Sequence, residues 1–202
     1  LDDDGAPRDG RLVFFYDVLG GAWGFHPRDR GSFQVRYLPA DVEVDRRPTP
    51  ERVPQQLRFK EQAVAARPIW TLPDPASATL EAANLPSETL DALGELVEDV
   101  DLHRDLDLST LVGGHPDPVQ GDMELECALV TEGVDCGTPK GYRRASDDLK
   151  ARAPEWRLLF QLPSLTDQGM MWCDVGRLYW WIRADRLRAG AFEDAWGILQ
   201  SH

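Results

Sequence analysis

Two dense runs of apolar and aromatic residues near the carboxyl end of the chain constrain its fold more than any other feature. Residues 156–162 read Trp-Arg-Leu-Leu-Phe-Gln-Leu, and residues 176–182 read Gly-Arg-Leu-Tyr-Trp-Trp-Ile. Runs of this length and composition are typical of β-strands, and their closeness in sequence favours antiparallel neighbours. The pleat then places Trp180 and Trp181 on opposite faces. If one ring lies in the core, the other is either covered by a helix or exposed as an anchor for a protein partner.

Further strands are expected in the first third of the chain and at its end. Residues 12–16, Leu-Val-Phe-Phe-Tyr, are apolar on both faces, which favours a central position in a sheet. Residues 32–38 and 57–66 alternate apolar and polar side chains, as strands with one wet face do. Residues 197–200 form a short final strand. The sheet is therefore expected to be mostly antiparallel.

Helical patterns between these strands predict an α+β fold, with a few amphipathic helices packed on the sheet. Ser87 precedes apolar residues at helical spacing, and acidic residues occupy the opposite face of that helix. Residues 102–112 either extend this helix or form a second short one. Shorter helices are expected at 77–83, 146–153 and 184–189. No linker or repeat divides the chain, which predicts a single domain over residues 1–202.

The segment 122–133 fits two interpretations. Asp122 can cap a helix, with Glu124 in its first turn and Gly133 at its end. In the other interpretation, apolar residues alternate from Met123 to Leu129 as in a strand. The helix is favoured.

Composition excludes several classes of function. The net charge is −13 and the isoelectric point is near 4.7, so the chain repels nucleic-acid backbones and anionic membranes. No apolar run is long enough to cross a bilayer. The charge fits either a basic protein partner or an ordinary solvated surface. The three cysteines, Cys127, Cys136 and Cys173, form no metal-binding pattern, and such sparse use indicates a reducing compartment, the cytoplasm.

Residues 113–127 are the stretch most worth examining for chemistry. They read Gly-Gly-His-Pro-Asp-Pro-Val-Gln-Gly-Asp-Met-Glu-Leu-Glu-Cys, and their glycines and prolines make an irregular backbone that can present polar groups. No nucleophile accompanies the histidine and carboxylates, so no catalytic residue is assigned. No metal ligand or cofactor is assigned either, because known ligand spacings are missing. The simplest interpretation is a proline-rich turn held by its own hydrogen bonds.

Several short motifs follow the order of a known bacterial family. They are Phe-Phe-Tyr-Asp and Trp-Gly-Phe near the start, the stretch from His115 to Cys127, Trp-Arg-Leu-Leu-Phe-Gln from Trp156, the run from Met170 to Arg183, and Phe-Glu-Asp-Ala-Trp-Gly-Ile-Leu-Gln from Phe192. On these motifs the chain resembles the YwqG-like family, a domain of unknown function. One departure is Cys173, where the family more often has glycine. The family also usually begins with a further N-terminal segment, which we expect this domain to lack.

The resemblance implies a sheet-rich α+β domain without an established reaction. Family members often lie near secreted toxins in bacterial genomes, which suggests an immunity or binding role. We therefore expect a non-enzymatic domain that binds a protein or peptide, preferably one with a basic surface. The candidate binding residues are His115, Asp117, Gln120, Asp174 and Trp181. Two alternatives stay open: an enzyme or metal site built from His115, Asp117, Asp122 and Asp174, and a scaffold domain of a longer polypeptide.

Overall fold

The computed structural model of the protein describes residues 7, 9–102 and 110–202. The strands are β1 Arg11–Tyr16, β2 Phe33–Leu38, β3 Leu111–Val112, β4 Trp156–Pro163, β5 Arg177–Arg183 and β6 Trp196–Gln200. The α-helices are α1 Ala78–Ala83, α2 Ser87–Leu102, α3 Glu124–Thr131, α4 Pro139–Tyr142, α5 Asp147–Lys150 and α6 Ala184–Ala189. β1 pairs with β2, and a second sheet has the order β3-β4-β5-β6, with every pair antiparallel. The predicted α+β class is confirmed.

The two aromatic runs form β4 and β5, which are antiparallel neighbours as predicted. The register between them shifts between Leu158 and Phe160, so Leu159 is the extra residue of a β-bulge. Beyond the bulge, Gln161 lies directly opposite Tyr179, and residues paired in this way project to the same face. The bulge therefore turns a polar side chain toward the same face as Tyr179.

The four-stranded sheet has a hydrophobic core on each face, so the fold has three layers. One core combines alternate residues of β4, β5 and β6 with α3, and Trp181 lies in it with 1% of its surface exposed. The other core combines the opposite residues with the β1–β2 ribbon, α6 and Phe192, and Trp180 lies there, 2% exposed. Both rings are therefore covered, and neither is exposed as an anchor for a protein partner.

The predicted central position of β1 is wrong. Among the described residues β1 pairs with β2 alone, and the ribbon is buried by packing face to face on the larger sheet. Phe14 on its inner face lies 4.7 Å from Phe160 and 5.5 Å from Trp180 between ring centroids. Phe15 on the outer face is 52% exposed. Apolar residues on both faces here reflect one buried face and one exposed phenylalanine.

The strand expected at 57–66 is also wrong. Gln55–Leu57 is a short 3-10 helix, and residues 58–66 have no regular structure and are mostly exposed. The alternating pattern fits a strand, but a strand also needs a neighbour to satisfy its backbone groups. The Lys60 N–H donates to the Gln168 carbonyl at 3.4 Å, which is too little to form a ladder.

The helices follow the predicted starts closely. Ser77 and Ser146 accept hydrogen bonds from the first turns of α1 and α5, and α6 ends at Gly190 in the left-handed conformation. Segment 122–133 contains the helix α3, as favoured, and not a strand. The expected continuation over 102–112 falls mainly on 103–109, outside the described residues, and its end forms β3. Within the described ranges, no helix has both the length and the apolar composition needed to cross a bilayer.

Candidate functional site

One buried glutamine of β6 holds the loop that the sequence singled out. The Gln200 Oε1 atom accepts hydrogen bonds from the backbone N–H groups of Val119 and Gln120, both at 3.0 Å. Its Nε2 atom donates to the Gly121 carbonyl at 3.1 Å. Gln200 is only 2% exposed, so these three hydrogen bonds are made inside the protein. The loop backbone is thereby fixed against the sheet.

Three more side chains of the sheet hold Asp117. The Gln161 Oε1 atom accepts from the Asp117 N–H at 2.9 Å, and the Tyr179 hydroxyl donates to the Asp117 carbonyl at 2.9 Å. Arg177 donates to the same carbonyl at 2.8 Å and forms an ion pair with the carboxylate at 2.9 Å. The carboxylate is about half exposed. Asp117 is therefore oriented by the sheet, with one oxygen engaged by Arg177.

The other predicted binding residues make separate contacts. The His115 backbone N–H donates to the Thr71 hydroxyl at 2.8 Å, and burial, with a smaller contribution from Arg157, lowers the pKa of its imidazole. Gln120 is exposed. Asp174 lies in an exposed turn, where its carbonyl accepts from the His202 N–H at 3.2 Å. Trp181 is buried beneath α3 in the core described above.

Asp122 and Glu124 dock α1 onto α3. The Asp122 carboxylate accepts from the Ala78 N–H at 3.3 Å, and the Glu124 carboxylate accepts from both the N–H and the hydroxyl of Thr79 at 2.8 Å. Ala78 and Thr79 are the first two residues of α1. Carboxylates are favourable at the N-terminus of a helix because its first N–H groups lack partners within the helix. Burial raises the pKa of both groups, that of Glu124 to about 7. These carboxylates act in helix docking.

Glu126 is a half-buried residue of α3 that lies beside two thiols. Its Oε1 atom accepts from the Tyr142 hydroxyl at 2.8 Å, whereas its buried Oε2 atom has no hydrogen-bond partner among the described residues. Burial raises the pKa of Glu126 to about 7, and it raises the pKa of Cys136 to about 12 and that of Cys127 well above its usual value. Both cysteines are free thiols. Because the thiolate is the reactive form, they are poor nucleophiles here.

The four residues of the alternative enzyme or metal site are not brought together as a ligand set. Asp117 pairs with Arg177, and Asp122 binds the start of α1. Across residues 7, 9–102 and 110–202, no group of three or more His, Cys, Asp or Glu side chains is arranged to hold a metal ion. The geometry therefore gives this alternative no specific support.

An open cleft of about 700 Å³ lies between the loop after β1 and the loop after α3. Trp23, His26, Asp29 and Asp135 contribute to its walls. Three of these side chains accept hydrogen bonds from the backbone. Asp29 accepts from the Gly24 N–H, and His26 and Asp135 each accept from the N–H of the residue two positions later. Three of the wall side chains are thus used to hold the two loops that form the cleft.

The acidic residues of the chain are concentrated in one segment, which the net charge of the whole chain shows only in part. Residues 68–139 contain sixteen acidic residues and one basic residue, Arg104, which lies outside the described residues. Residues 11–67 contain seven acidic and ten basic residues. The exposed acidic side chains of the first segment include Glu81 on α1 and five on α2, which are Glu88, Asp91, Glu95, Glu98 and Asp99. Counting charge by segment, instead of over the whole chain, reveals this surface directly from the sequence.

α2 differs from α3 in how little of it is buried. No residue of 87–99 is buried, Leu90, Leu93 and Val97 are half-buried, and Leu96 is 48% exposed. No other described helix or strand packs along its length. Pro75 lies beside Gly94, where an added Cβ would be 3.8 Å from its ring. α2 is therefore an acidic helix whose apolar side is incompletely covered.

Comparison with known proteins places this architecture in a family. A search of curated proteins found no match. The profile of a family described as a domain of unknown function, DUF1963, matches residues 1–201. The match covers all the elements described above, from the β1–β2 ribbon to β6. The chain therefore belongs to the DUF1963 family.

Proposed function

We propose that this protein is a non-enzymatic binding domain whose partner is a protein or peptide with a basic surface. The observation that carries the proposal is the segregation of charge, sixteen acidic residues against one basic residue over 68–139, with the exposed carboxylates gathered on α1 and α2. The loop at 113–122 supports the proposal indirectly, because several of its backbone N–H groups are already hydrogen-bonded to side chains of the sheet.

The physical basis is electrostatic complementarity. Like charges crowded on one surface repel one another, and a basic partner relieves that repulsion while steering the encounter. Exposed charges interact over about 8 Å at physiological salt, so only a partner that docks closely gains from them. Association should therefore be fast at low salt and should weaken as salt is added.

The finer proposal is that the domain is a YwqG-like member of its family, bacterial and cytoplasmic, and that it neutralises a toxin as an immunity-type protein. The motifs around His115–Cys127 and Met170–Arg183 support the YwqG-like assignment. The association of that family with toxin genes supports the immunity role. A basic toxin would supply the complementary surface.

Calorimetry of the full chain against the products of neighbouring genes tests this proposal. A basic partner should bind with a Kd of about 1 μM or tighter, and added salt should weaken the binding. The decisive variant neutralises Glu88, Asp91 and Glu95 together, as Glu88→Gln, Asp91→Asn and Glu95→Gln. It should weaken binding about tenfold or more.

The matched control neutralises three exposed acidic residues on other elements, Asp148, Asp167 and Glu193. Both triple variants change the net charge equally, so a general charge effect would weaken binding equally. Selective loss in the α2 variant supports the acidic surface as the binding face. Equal loss in both variants, or no partner binding tighter than the micromolar range, contradicts the proposal.

A further inference from the structure

The apolar side of α2 has the spacing of a docking helix. Leu90, Leu93 and Val97 are separated by three and four residues, so they form one stripe along the helix. The five exposed carboxylates lie on the remaining surface, and Asp91 and Glu98 border the stripe beside Gly94, three residues before it and four after it. We call Leu90, Leu93 and Val97 the α2 stripe.

The α2 stripe is not accounted for by packing within the described chain. Its three side chains are only half-buried, and Leu96 beside it is 48% exposed. A helix of 16 residues is about 24 Å long and is marginally stable by itself in water. Helices of this kind normally gain most of their stability by covering an apolar face.

The acidic character of α2 indicates what kind of surface covers the stripe. The 16 residues of α2 contain no lysine or arginine, and carboxylates flank the stripe. A partner that laid an acidic surface here would bring like charges together, and a neutral surface would offer no opposite charge to Asp91 and Glu98. We propose that the α2 stripe docks a basic amphipathic helix of a partner protein, with apolar residues against Leu90, Leu93 and Val97 and Lys or Arg beside Asp91 and Glu98. This inference rests on the proposed function and adds the surface and the binding mode.

A synthetic peptide tests it without knowledge of the natural partner. The probe is an amphipathic helix of leucine and lysine of about the same length as α2. The control peptide has glutamate in place of every lysine. Binding to the full chain is measured by calorimetry at low salt, and backbone amide NMR shifts locate the contact.

The variants separate the stripe from the charge. Leu93→Ala and Val97→Ala should each weaken binding of the lysine peptide about tenfold, a loss typical of a contact residue at an interface. Alanine favours the helix, so α2 should persist, and circular dichroism checks this. Phe15→Ala removes an apolar side chain on β1 that is more exposed than either, at 52%, and should leave the affinity unchanged. The NMR shifts should centre on 87–99.

Each contrary outcome has a distinct meaning. If Leu93→Ala and Val97→Ala bind the lysine peptide like the wild type while the Glu88, Asp91 and Glu95 triple variant loses it, the stripe inference is wrong and the acidic surface still stands as the binding face. If the wild type does not bind the lysine peptide even at low salt, both proposals fail. Equal binding of the glutamate peptide refutes the choice of a basic partner. If light scattering shows a dimer that Leu93→Ala dissociates, the stripe binds a second copy and the inference is overturned.

Discussion

Replacing Gln200 with alanine is the most direct test of how the loop at 113–121 is built. The side chain of Gln200 satisfies two backbone N–H groups, those of Val119 and Gln120, and one carbonyl, that of Gly121. Gln200→Ala removes all three hydrogen bonds at a position that is 2% exposed. Alanine has no polar atom to replace them, and the shortened side chain leaves space that the backbone must close.

The magnitude follows from the number of groups left without a partner. A buried donor or acceptor that loses its hydrogen bond costs about 1–3 kcal/mol. Gln120 is exposed, so water can reach part of the loop and lower that cost. We therefore expect the free energy of unfolding to fall by about 3 kcal/mol in all. For a chain of this length, that corresponds to a fall in Tm of about 6–12 °C.

Urea denaturation gives the free energy, and hydrogen exchange gives the location. The amides of Val119 and Gln120 should exchange about 100-fold faster in the variant, because about 1.4 kcal/mol corresponds to each factor of ten. Gln34→Ala is the matched control: Gln34 is exposed on β2, and its amide donates to the Gly31 carbonyl at 3.0 Å. It should change stability by less than about 0.5 kcal/mol.

Two results would refute the reasoning. A Gln200→Ala protein as stable as Gln34→Ala would show that the three hydrogen bonds contribute nothing net. Unchanged protection at Val119 and Gln120, despite lower global stability, would show that the loop is held by other contacts and that the loss arises from packing.

Two further predictions concern α3 and the loop after β1. The pKa of Glu126 is raised from 4.5 to about 7, so its folded form binds the proton more tightly; the stability this contributes is complete below about pH 4.5 and is lost as the pH rises through about 7. Glu126→Gln should therefore reduce the fall in Tm between about pH 5 and 8 without abolishing it, because the pKa of Glu124 is also raised to about 7. Glu193→Gln, at an exposed position, should reproduce the wild-type profile. Gly24 has φ of 84°, and an added Cβ would meet the Gly197 carbonyl, whereas Gly31 has φ of 92° and open space around it. Gly24→Ala should therefore destabilise the protein by about 1–3 kcal/mol more than Gly31→Ala in urea denaturation, and equal losses would show that backbone strain alone matters.

The parts of the fold that could be predicted are those set by local pattern. The aromatic runs of β4 and β5 are apolar enough to require burial, and Ser77 and Ser146 mark helix starts because their hydroxyls can satisfy N–H groups close in sequence. The segment 57–66 had an equally good strand pattern and failed, since pairing depends on a neighbour that the pattern does not specify.

The contacts that hold the loop at 113–121 could not be predicted because they join distant parts of the chain. Asp117 and Gln161 are 44 residues apart, and Val119 and Gln200 are 81 residues apart. The position of Gln161 also depends on the bulge at Leu159, which no sequence period announces. A glutamine inside an apolar strand is the one available signal, since a buried amide must find partners.

The polar residues that first suggested a site and the surface that now carries the proposal differ in one physical respect. In the loop at 113–121, the sheet side chains Gln161, Tyr179 and Gln200 engage the backbone, so that much of its polarity is used in folding. On α2, the carboxylates are exposed and the Leu90–Val97 side is incompletely covered, so that folding has used neither the charge nor the apolar area fully. Repulsion among neighbouring carboxylates and exposed leucine both disfavour the isolated chain. A single basic amphipathic partner relieves both, which is why the helix, and not the histidine-containing loop, is the better place to look for function.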